Sequence, residues 1–470
     1  MASSHATTGV PRPLTPAPWH LPGAAPTALL GLTVVIGVVV GMNPAVGIML
    51  AVAMVFVVAV TRDLALGVCG FLLLTFLDVV SSNSDLSLTK TAGAALAAAW
   101  LAALATRGAA GRNLVSGQPW LTAVVVAFLG WSALSATWAL TPSAAVSSTL
   151  RFALNALLIP IVYSAVRTKQ HVIWIYAVFV GGTLLSVAFG LATDPHAGTA
   201  AAAQTGRLVG ARVEANVLAT LLVIAVVLSG ALVLVLRRQR LGRWLALVCA
   251  VAGLVALFAT LSRGGLVAMA AVLVVGVLYG GRWRPAAVVF TVATLAVGAL
   301  YISSTPGAIQ HLTSGSTSGR ADIWTVGWRM VEAHPVAGVG SGNYRISAPG
   351  YLLYPGTIQR DDFIIDVPYV AHNIYLHVLA EMGAVGLALF TALLALCLGA
   401  AVRAIRIFRW RRERALEVMT RALVAVIVGS LVADFFLSEQ YNKQLWLLLA
   451  LCPALLAIAR EGTARGAGAR

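Results

Sequence analysis

The sequence contains very little charge for its length. Only 10% of its 470 residues are Asp, Glu, Lys or Arg, whereas a soluble globular domain carries about 25%. Hydrophobic residues make up 60% of the chain, and the mean hydropathy is +0.91. A water-soluble fold of this length cannot bury that much apolar surface in one core. The bilayer is therefore the solvent for most of the chain, which excludes a soluble enzyme.

Cysteine is scarce, and its placement excludes a metal or redox motif. No two cysteines have C-x-x-C spacing, and all lie inside apolar runs. The four are Cys69, Cys249, Cys397 and Cys452. We interpret them as small buried hydrophobic residues, and we expect neither a metal nor a cofactor.

Uncharged runs of about twenty residues predict transmembrane helices. The sequence predicts an all-α, polytopic transmembrane helical bundle of about twelve to fourteen spans. The predicted spans are 27–42, 44–61, 64–80, 90–106, 119–138, 147–166, 171–191, 215–236, 243–261, 264–281, 285–303, 378–402, 417–437 and 442–459.

These spans divide the chain into five regions, of which only one is a long loop. Loops of such length inside a compact protein are usually functional. The regions are a disordered cytoplasmic tail 1–26, an N-terminal bundle 27–303, an extracytoplasmic loop 304–371, C-terminal spans 372–459 and a cytoplasmic tail 460–470.

The basic residues predict the orientation of the chain. With the N-terminus in the cytoplasm and alternating spans, 22 of the 32 basic residues but only 4 of the 16 acidic residues fall inside. The inner side then sums to +18 and the outer side to −2, as expected for a multi-pass protein of the cytoplasmic (inner) membrane with both termini inside. No basic region is long or patterned enough for nucleic-acid binding. The run Arg403–Arg414 is expected to contact anionic headgroups.

Four of the arginines on the opposite, outward side are candidate site residues. They are Arg207 and Arg212 before the eighth span, Arg263 at an outer turn and Arg320 in the long loop. Arginine suits planar, bidentate recognition of phosphate, so together they could form an anion site. Each alone could equally anchor a helix end to headgroups or pair with a carboxylate.

Polar residues at the end of the long loop suggest a second component of a site. Asn373 is a good N-cap for the helix that follows. His372 beside it could act as a general base near pH 7, or could be a surface histidine. His377 and Glu381 are four residues apart and favour a structural pair. The glycines of Gly338–Asn343 favour a turn over a phosphate-binding loop.

Several short motifs occur in one order. G-R-x-x-G…N opens a span at Gly206, and T-x-S-R-G-G lies at Thr260. The long loop then contains S-G-R-x-x-I-W and H-P-V-x-G-V-G-x-G-N-Y, and ends in H-N-I-Y-L-x-x-L-x-E-M-G-x-x-G. Over about residues 205–400 this arrangement resembles the O-antigen ligase and polymerase superfamily, which includes protein O-oligosaccharyltransferases.

The resemblance implies a membrane-embedded, metal-independent glycosyltransferase of the C-type architecture. Such enzymes transfer a glycan from a polyprenyl-diphosphate carrier to a lipid, glycan or protein acceptor outside the cytoplasmic membrane. It implies that Arg207 or Arg212, Arg263 and Arg320 hold the diphosphate, and that His372 is catalytic with Arg320.

The resemblance also assigns Trp324 and Tyr344 structural or sugar-stacking roles, with Asn373 and Glu381 as possible supporting residues. A flippase or exporter of lipid-linked glycans is the alternative, and a scaffolding membrane protein is a third reading. A flippase should carry charges at mid-membrane, whereas here they lie near the surfaces.

Overall fold

The computed structural model divides into two compact units, Met1–Phe56 and Val57–Arg470, and describes little of the first. The predicted tail 1–26 lies outside the described residues, and the predicted spans 27–42 and 44–61 lie largely outside them. The described residues are Gly41, 54–77, 88–107, 112–192, 207–208, 214–305, 320–352 and 370–467.

Helices are the only regular elements among these residues, which confirms the predicted all-α bundle. In chain order the α-helices are α1 Leu64–Leu77, α2 Leu88–Arg107, α3 Leu114–Gly117, α4 Pro119–Leu134, α5 Pro142–Ala156, α6 Leu158–Ala165, α7 Lys169–Ala192, α8 Ala215–Val235, α9 Arg240–Ala259, α10 Arg263–Tyr279, α11 Arg284–Ser304, α12 Arg320–Ala333, α13 Tyr344–Leu352, α14 Ile374–Trp410, α15 Arg414–Ala433 and α16 Lys443–Ala467. Short 3-10 turns follow α4, α10 and α15.

Nine helical segments in the described part of the chain are long and apolar enough to cross a membrane, and α1, α2 and α10 are shorter apolar helices. Each predicted span from 64–80 onward corresponds to one of these segments. The largest differences in length are at the C-terminal end, where α14 is longer at both ends than the predicted 378–402 and α16 continues to Ala467. The protein is therefore a multi-pass membrane protein.

Helix α8, the most apolar of the nine candidate spans, lies in the interior of the second unit. Helix α8 packs against α7, α9, α10 and α15, and 72% of its most apolar stretch is buried. The corresponding share for α11 is 11%. Its side chains exposed among the described residues include Val289, Val292 and Leu295, which suit contact with lipid. Helix α11 therefore lies at the periphery of the bundle.

Arginine–glutamate pairs connect the turns at one end of the unit, which we call the basic end. Arg112 pairs with Glu461 and donates to the carbonyl of Val166 at 2.6 Å. Glu417 is fully buried and pairs with both Arg282 and Arg421. A buried carboxylate is tolerated when charged donors surround it. The first pair joins three predicted cytoplasmic segments, and Glu417 joins the turn that carries Arg282 to the start of α15.

Helix α14 breaks at Gly383, where the backbone adopts φ 63° and ψ −169°. The segment Pro335–Gly340 bonds to the groups that the break exposes. Ala384 N–H donates to the carbonyl of Pro335 at 2.9 Å, and Gly340 N–H donates to that of Glu381 at 2.8 Å. Irregular backbone at membrane depth is tolerated only where protein supplies such partners.

Gly383 is required by this geometry. A Cβ atom there would overlap the carbonyl group of Val336, and a positive φ disfavours any other residue. We predict that Gly383→Ala costs roughly 1–3 kcal/mol of stability, measured as a lower melting temperature in detergent. Gly399→Ala on the same helix is the control, because the nearest atom to its Cβ is 3.9 Å away. Equal melting temperatures for the two variants would contradict this interpretation of the break.

Candidate active site

The polar residues outside the basic end gather at the opposite end of the unit, which we call the loop end. It contains the turn between α9 and α10, the start of α12, residues 370–373 before α14, and residues 434–442 between α15 and α16. Residues 207–208 join it through a backbone hydrogen bond of 2.9 Å from Leu208 to the carbonyl of Ala259. Residues 207 and 208 of the G-R-x-x-G…N motif are thus brought to the motif at Thr260.

Arg207 is held by an amide and a carbonyl. Its Nε donates to the carbonyl of Thr260 and its Nη2 to Oδ1 of Asn216, both at 2.9 Å. The Ser262 hydroxyl donates to the same Asn216 oxygen at 2.8 Å and also accepts from Gly265 N–H as the N-cap of α10. One short network therefore fixes Arg207 relative to the helix that begins with Arg263.

Trp324 connects the start of α12 to the residue before His372. It lies one turn after Arg320 on the same face of the helix. Its indole Nε1 donates to the carbonyl of Ala371 at 3.0 Å, and its ring packs edge-on against Phe435. This contact fixes the start of α12, which carries Arg320, relative to the residue before His372.

His372 occupies a strained position at the N-terminus of α14. Its φ is +47°, in the left-handed region that non-glycine residues seldom adopt. The next residue, Asn373, caps the helix by accepting hydrogen bonds from Tyr375 N–H and Leu376 N–H, each 3.0 Å long. Strain of this kind persists where the surroundings fix it, and it concentrates at functional sites.

Three arginines of the loop end repel one another. Burial lowers the pKa of Arg207, Glu214 opposes this, and the positive charges of Arg320 and Arg263 lower it further. Burial likewise lowers the pKa of Arg320, against Glu214 and together with Arg263. Arginine remains charged despite such shifts. The three guanidinium groups therefore lie within electrostatic range of one another, with Glu214 as the compensating charge.

His372 belongs to the same group of charges. Burial lowers its pKa from the usual 6.5; Glu214 opposes this, and Arg320 and His377 lower it further. A lowered pKa leaves the imidazole neutral near pH 7 and able to accept a proton.

The buried carboxylate of Glu381 stabilises the segment that packs beside the site. Glu381 accepts from Gly342 N–H at 2.8 Å and from Tyr344 N–H at 3.0 Å, and its Oε1 lies 3.3 Å from Nε2 of His377. The expected pair of His377 and Glu381 is thereby confirmed. The glycine-rich segment forms the predicted turn, and the Gly342 amide of that turn donates to the Glu381 carboxylate.

Tyr344 is 1% exposed and packs inside the protein. Its ring stacks on His377 with centroids 5.0 Å apart, and its hydroxyl donates to the carbonyl of Ile323 at 3.1 Å. Of the two roles that the resemblance allows, structural support is the one consistent with this burial.

The structure brings together Arg207, Arg263, Arg320 and His372, whereas Arg212 lies outside the described residues. Asn216 is the last residue of the G-R-x-x-G…N motif, which assigns it no role, and neither Glu214 nor the turn that carries Glu439 is identified from the sequence. Burial raises the pKa of Glu439, its hydrogen bond from Asn442 lowers it, and Glu214 raises it. The sequence feature that could have identified this turn is the polar run Ser438–Lys443, which lies between two apolar stretches.

No group of three or more His, Cys, Asp or Glu residues that could hold a metal ion occurs among the described residues.

The sequence matches one family model. Residues 248–391 match the model described as O-antigen ligase, which confirms the resemblance noted in the motifs over a region shorter than half the chain. The match covers Arg263, Arg320 and His372 but not Arg207. The family implies glycan transfer of the ligase or polymerase type. No curated protein matches the sequence.

The lowered pKa of His372 can be measured directly. We expect the imidazole to titrate with a midpoint below 6.5, because burial and Arg320 disfavour the charged form. Carbon-13 NMR of histidine-labelled protein in detergent gives this midpoint, and the signal is assigned from its loss in His372→Gln. A midpoint above 6.5 would show that Glu214 outweighs the combined effects of burial, Arg320 and His377.

Proposed function

We propose that this multi-pass membrane protein, which is similar to the O-antigen ligase family over residues 248–391, is an enzyme. It would transfer a glycan from a polyprenyl-diphosphate carrier to an acceptor hydroxyl. The single observation that carries the proposal is that Arg207, Arg263 and Arg320 act electrostatically on one another and that Arg320 also acts on His372. We propose the acceptor to be an envelope lipid, a glycan or a protein.

The charge of the loop end matches a diphosphate. Counted over Arg207, Arg263, Arg320 and Glu214 alone, the arginine cluster has an excess of two positive charges, and a diphosphate diester carries two negative ones. Guanidinium groups can bind phosphate oxygens bidentately. Seating the anion would also relieve their mutual repulsion. Arg212 is a further candidate ligand from the sequence.

The reaction requires one proton acceptor and stabilisation of one leaving group. His372 takes the proton of the acceptor hydroxyl, whose oxygen attacks the anomeric carbon. The bond from that carbon to the phosphate oxygen breaks, and the diphosphate leaves with the electron pair. Attack opposite to the leaving group inverts the anomeric configuration. The preorganised arginines stabilise the departing charge, so we propose that the reaction needs no metal ion.

The proposed orientation places this chemistry outside the cytoplasm. Arginines accumulate at the basic end, and the positive-inside rule assigns that end to the cytoplasmic side of the inner membrane. The loop end then faces outward, where carrier-linked glycans meet their acceptors, and both termini are cytoplasmic.

The proposed roles identify the side chains on which glycan transfer depends. We expect His372→Ala and Arg320→Gln each to reduce transfer by at least about a hundredfold, since general bases and charge-stabilising groups contribute that much or more. The measurement is transfer from a purified lipid-diphosphate oligosaccharide by protein in liposomes. The matched controls are His334→Ala and Arg345→Gln, both exposed positions after Arg320.

Melting temperatures equal to that of the wild type would show that the variants fold. A folded His372→Ala enzyme with full activity would remove the proposed base, and loss of activity in the controls would show that the assay reports general damage.

The product identifies the reaction. With a lipid-diphosphate oligosaccharide, EDTA and a mixed acceptor pool, we expect glycan released from its carrier and joined to a new hydroxyl. Products that grow by repeat units indicate a polymerase, and transfer of the whole glycan indicates a ligase. Movement of the intact donor across the bilayer without cleavage would instead identify a flippase, and inhibition by EDTA would contradict the proposed metal independence.

A further inference from the structure

A large apolar groove lies in the half of the bundle nearest the basic end. Its volume is about 510 Å³, within the range of about 300–1,000 Å³ that ligand sites occupy. It is bounded by α8, α9, α10, α11 and α15. Small residues create the space, and they include Gly230, Ala250, Gly276, Ala287 and Ala293.

One polar group in this apolar lining has no partner. The indole nitrogen Nε1 of Trp283 is buried, and no hydrogen-bond acceptor in the described part of the chain reaches it. Trp283 lines the groove at the turn between α10 and α11. A buried N–H donor without an acceptor is costly. A ligand in the groove that carries an oxygen acceptor at this depth would remove that cost.

The groove has a positively charged rim around Trp283. The guanidinium of Arg237 lies 5.9 Å from the centroid of the Trp283 ring, and Arg421 is part of the lining. Arg282 and Arg284 flank Trp283 in sequence. The one acid in contact with these arginines among the described residues is Glu417, which Arg282 and Arg421 share. The rim therefore has an excess of positive charge.

We propose that this groove binds one anionic glycerophospholipid of the cytoplasmic leaflet. An acyl chain fills the apolar space, and a phosphate or ester oxygen accepts the hydrogen bond from Trp283 Nε1. The phosphate lies among the rim arginines, as lipid phosphates do in basic pockets between transmembrane helices.

The position and charge of the groove favour this occupant over the polyprenyl chain of the proposed donor. A polyprenyl chain has no oxygen at its far end to accept from Trp283, and no charge to meet the arginine rim. The proposed diphosphate site lies at the opposite end of the bundle. The inference therefore goes beyond the proposed transfer reaction and can hold whether or not that reaction occurs.

The test is native mass spectrometry of the full chain, extracted from nanodiscs that contain phosphatidylglycerol and phosphatidylcholine in equal amounts. We expect one phosphatidylglycerol molecule to stay bound at detergent concentrations that strip phosphatidylcholine. Two variants locate it. Trp283→Phe removes the donor and keeps an aromatic ring, and Gly276→Leu fills the groove at a position where a Cβ meets only Ala287, at 3.5 Å.

Each variant has a matched control. Trp244→Phe, the control for Trp283→Phe, changes an exposed tryptophan in the first turns of α9. Gly130→Leu, the control for Gly276→Leu, adds a leucine at an exposed glycine that has no atom within 4 Å of its Cβ. We expect Trp283→Phe to weaken phosphatidylglycerol binding about tenfold, as loss of a hydrogen bond to a charged group does. Gly276→Leu should abolish it, and the controls should bind as the wild type does.

Three outcomes would overturn the proposal. They are equal retention of both lipids, unchanged phosphatidylglycerol binding in both Trp283→Phe and Gly276→Leu, and displacement of the lipid by a polyprenyl diphosphate at equal concentration. The last would assign the groove to the carrier chain.

Discussion

The docking of Pro335–Tyr344 on the broken helix α14 is the contact on which the loop end depends. The break at Gly383 exposes backbone groups that the segment satisfies, and Glu381 in return accepts from the amides of Gly342 and Tyr344. Because the same segment joins α12 to α13, its position sets that of α12. Trp324 on α12 then bonds to the residue before His372. A structural contact thereby determines the geometry of the charged cluster.

The charged cluster itself opposes folding. Three arginines within electrostatic range, partly buried and balanced mainly by Glu214, are less favourable than the same groups in water. The left-handed backbone at His372 adds strain. At the basic end, by contrast, Arg112 and Arg282 are paired with glutamates. Mutually repelling arginines at the loop end and glutamate-paired Arg112 and Arg282 at the basic end are what is expected of an anion-binding site on a structurally stabilised bundle.

The sequence was sufficient to predict where the helices lie in the chain. It was insufficient to predict which side chains form contacts between them. Apolar runs placed α8 at 215–236, within one residue of its observed end, because length and hydropathy alone define a span. The break at Gly383 was not predicted, since glycine within an apolar run carries no local signal. The bond from Trp131 Nε1 to the Met382 carbonyl and the network of Ser341 with Ser132 and Ser148 join residues far apart in the chain. Such pairs follow from packing, which periodicity does not determine.

The central claim is that the arginines of the loop end seat a diphosphate next to His372. Its most direct test is a cryo-EM map of the protein in nanodiscs with a lipid-diphosphate glycan bound to the His372→Ala variant. We expect the diphosphate density to lie within hydrogen-bonding distance of the guanidinium groups of Arg263 and Arg320, with the first sugar facing residue 372. Diphosphate density at the basic end, or on a surface away from these two arginines, would contradict the account.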